Sequence, residues 1–247
     1  MMTGERTVLR IGGKDRDAFL HGLVTHDVGE PGTAPVYSAL LTPQGKYLAD
    51  FFLLNRGDDI LLDVNADAAS GLAQRLAMYR LRADVTIDDS GLTVGQGLAD
   101  MPDGAWPDPR HPALGWRGYD MTGDVTEWDA LRVAHCIPET GVELIPNDTF
   151  ILEAGFDRLN GVNHRKGCYV GQEVTARMRH KTVLRKGLVT VDVQGAAPVG
   201  TAIMADEKPA GVLYTQAGGR AIAYLRFDRA GAAMTAGDAV VIWQGQD

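Results

Sequence analysis

From Gly187 onward the chain changes texture. "KGLVTVDV", "GTAIMA", "AGVLYTQ", "GRAIAYLRFD" and "DAVVIW" are short apolar runs divided by glycine and proline turns. Runs of this length predict strands, and a series of them with turn residues between predicts a small β-barrel. Closure is what leaves such strands without unpaired edges. No other feature of the 247 residues narrows the fold as far.

Upstream the pattern is mixed. "RTVLRI", "VYSALL", "KYLADFFLL", "DILLDV", "ADVTIDD" and "LTVGQGL" read as strands, with "TPQG" as the turn between the second and third. "KDRDAFLHGLV" places Phe19, Leu20, Leu23 and Val24 at helical spacing, and "ADAASGLAQRLAMYRL" places Leu72, Leu76 and Tyr79 on one helix face. This predicts an α+β unit with a largely antiparallel sheet. Residues 100–124 are rich in Pro, Gly and Asp, yet Trp106, Trp116 and Tyr119 would be costly in a solvated linker. A structured loop is therefore expected. "TEWDALRVAHCI" predicts a helix opened by a capping-box-like Thr126…Asp129 and stopped by Pro138. The expected division is residues 1–100, 101–180 and 181–247.

Formal net charge is −8, but residues 165–186 carry seven basic residues (Arg165, Lys166, Arg177, Arg179, Lys181, Arg185, Lys186) and one acid, Glu173. That segment is +6, which leaves −14 for the rest. An acidic chain is a poor general binder of nucleic acid or membranes, so the patch points to an anion or an acidic partner. No apolar run approaches the length of a membrane span, and "MMTGERTVLRIGGKDRDAFLHGLV" has no apolar core of a secretory signal. With only Cys136 and Cys168, neither a disulfide framework nor a cysteine-rich zinc site is expected, and the default location is a reducing cytoplasm. P-loop, dinucleotide, nucleophile-elbow and H-E-x-x-H motifs are absent.

Cys136 sits among Val133, Ala134 and Ile137 and reads as an inert core thiol. Cys168 lies in "RKGCYVGQEVTARMRH", beside Lys166 and between Gly167 and Gly171. A thiol works as nucleophile or ligand only as thiolate, which a neighbouring cation or a helix N-terminus favours. Lys166 would supply the cation, the helix-compatible "QEVTARMR" the N-terminus, and the glycines close backbone approach to a ligand. On these grounds alone an activated thiol and an inert buried cysteine stand level.

"KGCYVGQE" resembles the K-G-C-[FY]-x-G-Q-E signature of the YgfZ family, folate-binding proteins that assist maturation of iron–sulfur enzymes and are related to the glycine-cleavage T-protein. "FLHGLVTHDV", "YSALLTPQGKYLADFFLL", "DPRHPALGWR", "IPETGVELIPNDTFILEA" and "DRLNGVNHRKGCYVGQE" look like family blocks in family order. The resemblance implies a T-protein-like fold: two mixed α+β lobes and a C-terminal antiparallel barrel around a central tetrahydrofolate channel. It implies folate contacts at Asp50 and Glu153. The loop residues Gln172 and Glu173 join them, and Trp116 and Tyr169 would serve as flat walls for a pteridine. Asp50→Ala is then expected to weaken folate binding and leave the unliganded stability nearly unchanged. Cys168 and Lys166 are the expected reactive pair, at the mouth of the channel, with the basic segment as a rim for the folate tail.

The resemblance leaves the thiol two roles: ligand to a transient iron–sulfur cluster shared with an A-type carrier, or redox repair. Clusters normally take four protein ligands, so one cysteine needs others from a second chain or small thiols. The implied function is assembly or repair of clusters in client enzymes. A folate-dependent aminomethyltransferase or demethylase is the alternative, disfavoured because that transfer uses no thiol. A tRNA-modification accessory role is a third, disfavoured by the acidic remainder and the lack of an RNA-binding module.

Overall fold

The computed structural model describes residues 5–123, 125–181, 183–231 and 233–245, with the side chain of Lys181 outside the description. The basic Lys181 and residues 1–4 of the N-terminal segment read above therefore lie outside the described side chains and residues.

A five-stranded antiparallel sheet forms the first layer. Its strands are β1 (Arg6–Gly12), β2 (Val36–Leu41), β3 (Tyr47–Asn55), β4 (Ile60–Asn65) and β5 (Thr86–Asp89), in the order β2-β3-β4-β1-β5. Helices α1 (Arg16–His21) and α2 (Ala66–Arg80) cover one face. α2 starts on Asn65, whose side chain accepts from the Asp67 amide, and it buries Leu72 and Leu76 with Tyr79 packed beside them. α1 ends at His21, so Leu23 and Val24 reach the core from the turn that follows and not from the helix.

The period of two along β3 sorts its side chains. Ala49, Phe51 and Leu53 join the core under α1 and α2, while Asp50, Phe52 and Leu54 point to the opposite face. An irregularity in the β2–β3 register between Leu40 and Leu41 sets Leu41 opposite Tyr47 and brings Tyr47 to the Asp50 side as well. That second face is not solvent. It is covered by a three-stranded sheet of β6 (Val94–Gly97), β7 (Trp106–Pro107) and β8 (Trp116–Tyr119), by α3 (Trp128–His135) and by the turn-rich segment 136–171. The Pro/Gly/Asp-rich stretch is thus structured, with a 3-10 turn at Pro112–Leu114. One sheet serves two cores, and the near-continuous apolar run of β3 follows from burial on both sides.

α3 begins differently from the sequence expectation. Its N-cap is Glu127 in the left-handed region (φ +54°), and no side chain caps it, so the Thr126…Asp129 box does not form. α4 (Gln172–Lys181) leads to the barrel. There β9 (Lys186–Gln194), β10 (Thr201–Ala205), β11 (Lys208–Ala217), β12 (Arg220–Arg226), β13 (Met234–Ala236) and β14 (Ala239–Ile242) close in the order β10-β11-β12-β9-β14-β13 around Val191, Ile203, Leu213, Leu225 and Val241. The fold is α+β with a closed antiparallel C-terminal barrel. Among the described residues no helix is long and apolar enough to cross a membrane.

Candidate functional site

Residues 163–171 form a loop tied down by backbone groups. The Asn163 amide donates to Thr25 O at 3.0 Å, and its side chain donates to Asp27 while accepting from the Arg165 amide. Lys166 is buried. Its Nζ donates to His21 O at 2.7 Å and Val24 O at 2.5 Å, with His26 O farther off at 3.4 Å. These carbonyls sit at and just beyond the end of α1, where orphan acceptors favour a cationic donor. Burial lowers the Lys166 pKa to about 8, with Asp27 pulling the other way. Its ammonium is therefore turned into the protein as a clamp on α1.

Tyr169 enters the second core, its ring 5.2 Å from Lys166 Nζ, and burial raises its pKa. At Gly171 (φ +84°) a Cβ would meet Thr42 O at 2.7 Å and Gly45 Cα at 3.1 Å. The close approach expected of this glycine is thus to the β2–β3 turn, not to a ligand. Two inward anchors, Lys166 and Tyr169, flank Gly167 and Cys168, which are exposed. Gln172 and Glu173 open α4, with Glu173 in the first turn where an acid suits the helix dipole. Cys136, in contrast, is buried, and burial pushes its thiol up to about 11.

Asp50 lies elsewhere, in the layer between the main sheet and the second core. Its carboxylate accepts from Tyr37 Oη at 2.9 Å, Tyr47 Oη at 2.7 Å and Thr140 Oγ1 at 2.6 Å. Burial, and then the Asp50 charge, raise both tyrosine pKa values well above normal, so both phenols stay protonated as donors. Arg6, Asn65, Gln96, Arg110, Trp128, Arg132 and Thr140 line the same small cavity. Arg110 is held by Asp108 through two side-chain bonds of 3.0 and 2.8 Å. Burial opposes its charge and Asp108 outweighs that, leaving the Arg110 pKa raised. Arg117 bridges Asp108 and Asp63 behind this wall, with its guanidinium 3.3 Å from the Phe52 ring centre. Of these groups the sequence reading found only Asp50. The arginines and Trp128 come from separate segments, and only the fold brings them together.

The other expected contacts do not converge on Asp50. Glu153 accepts from Tyr224 Oη at 2.6 Å and lies 3.7 Å from Lys186 Nζ, at the junction with the barrel. A cavity of about 180 Å³ there is lined by Lys46, Glu143, Lys186, Tyr214 and Tyr224. Trp116 is buried in β8, with its Nε1 unpartnered among the described residues, and it lines neither cavity. Tyr169, Gln172 and Glu173 also stay out of both, so the aromatic wall at Asp50 is Trp128, with Arg110 beside it.

For tetrahydrofolate the donor set around Asp50 is chemically suitable, with carboxylate, guanidinium and indole together. The space is not. The cavity measures about 20 Å³, room for one water, whereas small-molecule pockets run to roughly 300–1,000 Å³. The carboxylate is also already served by three hydroxyls. As folded, these residues do not fit a pteridine. A cavity in that size range, about 810 Å³, is a cleft lined by Arg16, Asp17, His21, Asp27, Glu30 and Asn55, adjoining the Cys168 loop through His21 and Asp27. Among the described residues no group of three or more His, Cys, Asp or Glu side chains is placed to hold a metal ion.

Comparison with known proteins bears on the whole chain. Residues 185–246 match the family model described as "CAF17, C-terminal beta-barrel domain". The chain is 30% identical over 237 residues to the "Iron-sulfur cluster assembly factor IBA57 homolog, mitochondrial" of Neurospora crassa, covering 78% of this chain and 54% of that protein. It is 29% identical to the corresponding proteins of Mus musculus and Homo sapiens, covering 78% and 83% of this chain. It spans 66% of the mouse protein and 71% of the human one. The chain thus spans little more than half the length of the fungal relative and just under two thirds of the mouse one. The glycine cleavage system aminomethyltransferase T from Bartonella henselae superposes with a TM-score of 0.74 over 98% of this chain and 83% of that one, at 14% identity. This shows a T-protein-like fold. The cytoplasmic expectation is overturned, because these relatives are named mitochondrial and the similarity points to mitochondria. Along most of its length, the chain is similar to proteins named as iron–sulfur cluster assembly factors, and it carries the fold of the T-protein.

Proposed function

We propose that this protein is an iron–sulfur cluster assembly or repair factor, in which Cys168 supplies one thiolate to a cluster whose remaining ligands come from a partner. The observation that carries this reading is the loop itself. Lys166 and Tyr169 are buried on either side of an exposed Cys168, which holds the thiol outward on a fixed backbone. A single presented thiolate suits handing over cargo, since it leaves most of the coordination sphere to others. Similarity to the iron–sulfur assembly factors supports the same reading. An A-type carrier is the partner we propose, and iron–sulfur enzymes are the clients. The aminomethyltransferase alternative would need Asp50 free to act, and that carboxylate is held by three hydroxyls.

Tetrahydrofolate enters only as a proposed ligand of the region between Asp50 and Glu153. Its binding requires the wall of Arg110 and Trp128 or the hydroxyls of Tyr37 and Thr140 to move, and no step is routed through it. A melting curve in saturating tetrahydrofolate tests this, because any native-state ligand raises Tm. An unmoved curve removes folate from the account.

The central test is anaerobic. Purified protein is mixed with a cluster-loaded A-type carrier, and complex formation is read by size exclusion and visible absorbance. Wild type should form a coloured complex and Cys168→Ser should not, because a serine hydroxyl stays protonated near neutral pH. Aconitase activity in a deletion strain should be restored by wild type and poorly by Cys168→Ser. Full rescue by the serine variant would sink the thiol role.

A further inference from the structure

We infer that α4 and its flanks form an electrostatic docking face for an acidic protein surface, placed so that such a partner arrives over Cys168. The delivery of ligands to the thiol rests on the function proposed above, whereas the docking face stands on charge and geometry alone.

Arg165, Arg177, Arg179 and Arg185 are all exposed, and none forms an ion pair with another described residue. Glu173 is the only acid between residues 165 and 186. The other basic residues do not add to this face. Lys166 is buried, Lys186 is close to Glu153, and the Lys181 side chain is outside the described set. Four arginines thus face one glutamate in a chain of net charge −8. α2 also carries Arg75 and Arg80, with Arg82 just beyond, but Asp67, Asp84, Asp88 and Asp89 in the same stretch offset them.

The helix geometry spreads the charge around the solvent side. Thr175 is buried and Met178 packs on the second core, so these two set the inward stripe. At 3.6 residues per turn, Arg177 and Arg179 fall on either flank of the outward arc, with His180 between them. Arg165 stands three residues before Cys168, and α4 begins four residues after it. Three residues span at most about 10 Å, so Arg165, at the near end of the patch, stands on the order of one Debye length from the thiol at physiological salt. Arginine suits the task because its planar fork takes carboxylates two-pronged and is weakly hydrated.

The opposite side of the thiol has the reverse sign. A methyl group at Gly167 would meet His21 Nε2 at 3.5 Å, and His21 lines the large cleft together with Asp17, Asp27 and Glu30, against one arginine, Arg16, which lies 3.6 Å from Asp17. Cys168 therefore lies between an arginine-bearing helix and an acidic rim. A nucleic acid, negative along its whole length, would be repelled at that rim. A folded partner with an acidic patch and a basic neighbour can satisfy both sides in one orientation.

The test reads the field at Cys168 directly. Cys168 thiolate attacks the S–S bond of an aromatic disulfide, forms the mixed disulfide and releases the other half as an aromatic thiolate. The thiolate released from dithiodipyridine takes a proton from water to become neutral thiopyridone, and each product is read by its absorbance. Two probes are compared: the dianionic 5,5′-dithiobis(2-nitrobenzoate) and the uncharged 4,4′-dithiodipyridine. Thiolate fraction affects both alike, so their rate ratio isolates the local potential. For wild type the ratio should fall about tenfold between roughly 20 mM and 500 mM salt. The fall should vanish in R177E/R179E and shrink in R177Q/R179Q, with melting curves confirming that both variants fold. The same salt dependence in all three proteins overturns the docking face. In a second arm, poly-L-glutamate or a single-stranded RNA oligonucleotide is added before the uncharged disulfide. Poly-L-glutamate should protect Cys168 in wild type and not in R177E/R179E. Protection by RNA alone assigns the face to nucleic acid and overturns the partner class. Failure of cluster transfer with this result intact would fault the proposed function and leave the docking face standing.

Discussion

Asp50 and Cys168 sit in the same fold under opposite rules. Asp50 is a charge enclosed by its own donors, with three hydroxyls on its oxygens and a cavity of about 20 Å³ beside it. Cys168 is a thiol with no such enclosure, held outward by neighbours that are themselves buried. A buried polar group must be satisfied where it stands, so its partners become part of the fold's stability. An exposed group owes the fold little and is free to serve a partner. The difference teaches that two polar side chains of one fold can meet opposite demands, one completing a buried network and the other left to solvent.

The sharpest way to break the comparison is Asp50→Ala. It strands the Tyr37, Tyr47 and Thr140 hydroxyls, so it should cost about 2–4 kcal/mol in urea denaturation. This revises the expectation that the substitution would leave stability unchanged, which treated Asp50 as a ligand group and not as the hub of three hydrogen bonds. A loss under about 0.5 kcal/mol would show that the carboxylate is not structural. Next is Gly171→Ala, which adds a Cβ at positive φ, 2.7 Å from Thr42 O. It should cost about 2 kcal/mol and also impair cluster handover, because the loop would lift from the β2–β3 turn. Unchanged stability and handover would show that the loop needs no such seat.

Lys166→Met sharpens the comparison through pH. Native Lys166 titrates at about 8 against an ordinary 10.5. Between those values the unfolded chain holds a proton that the native protein has released, so this group's contribution to stability rises with pH. Its neutral amine keeps two N–H groups for the two short bonds to His21 O and Val24 O. The stability gap between wild type and Lys166→Met should therefore widen in favour of wild type from pH 7 to pH 10. A constant or narrowing gap in matched denaturation curves refutes the buried clamp. The smallest effect belongs to Cys168→Ser, which should change stability by no more than about 0.5 kcal/mol while abolishing complex formation with the carrier. A large stability loss would place the thiol with Asp50, as part of the fold.

By itself the sequence determined the barrel, because Gly- and Pro-bounded apolar runs from residue 187 onward have few other ways to bury themselves. It determined α2 through Leu72, Leu76 and Tyr79, and it singled out Cys168 by the rarity of cysteine and the company of Lys166, Gly167 and Gly171. These signals are local, readable within about ten residues. Tertiary structure alone decided that Lys166 points inward to carbonyls of the α1 end, since a side chain's partner 142 residues away leaves no mark in its neighbours. It also decided that the first sheet carries two cores, because the covering layer over β3 is supplied by distant segments. The arginine and tryptophan wall at Asp50 is the same case: Arg6, Arg110, Trp128 and Arg132 become neighbours only through the fold. Trp116 and Tyr169, the expected ligand walls, are buried outside the cavities at Asp50 and Glu153, and an aromatic residue looks the same in sequence whether its ring faces a cavity or a core.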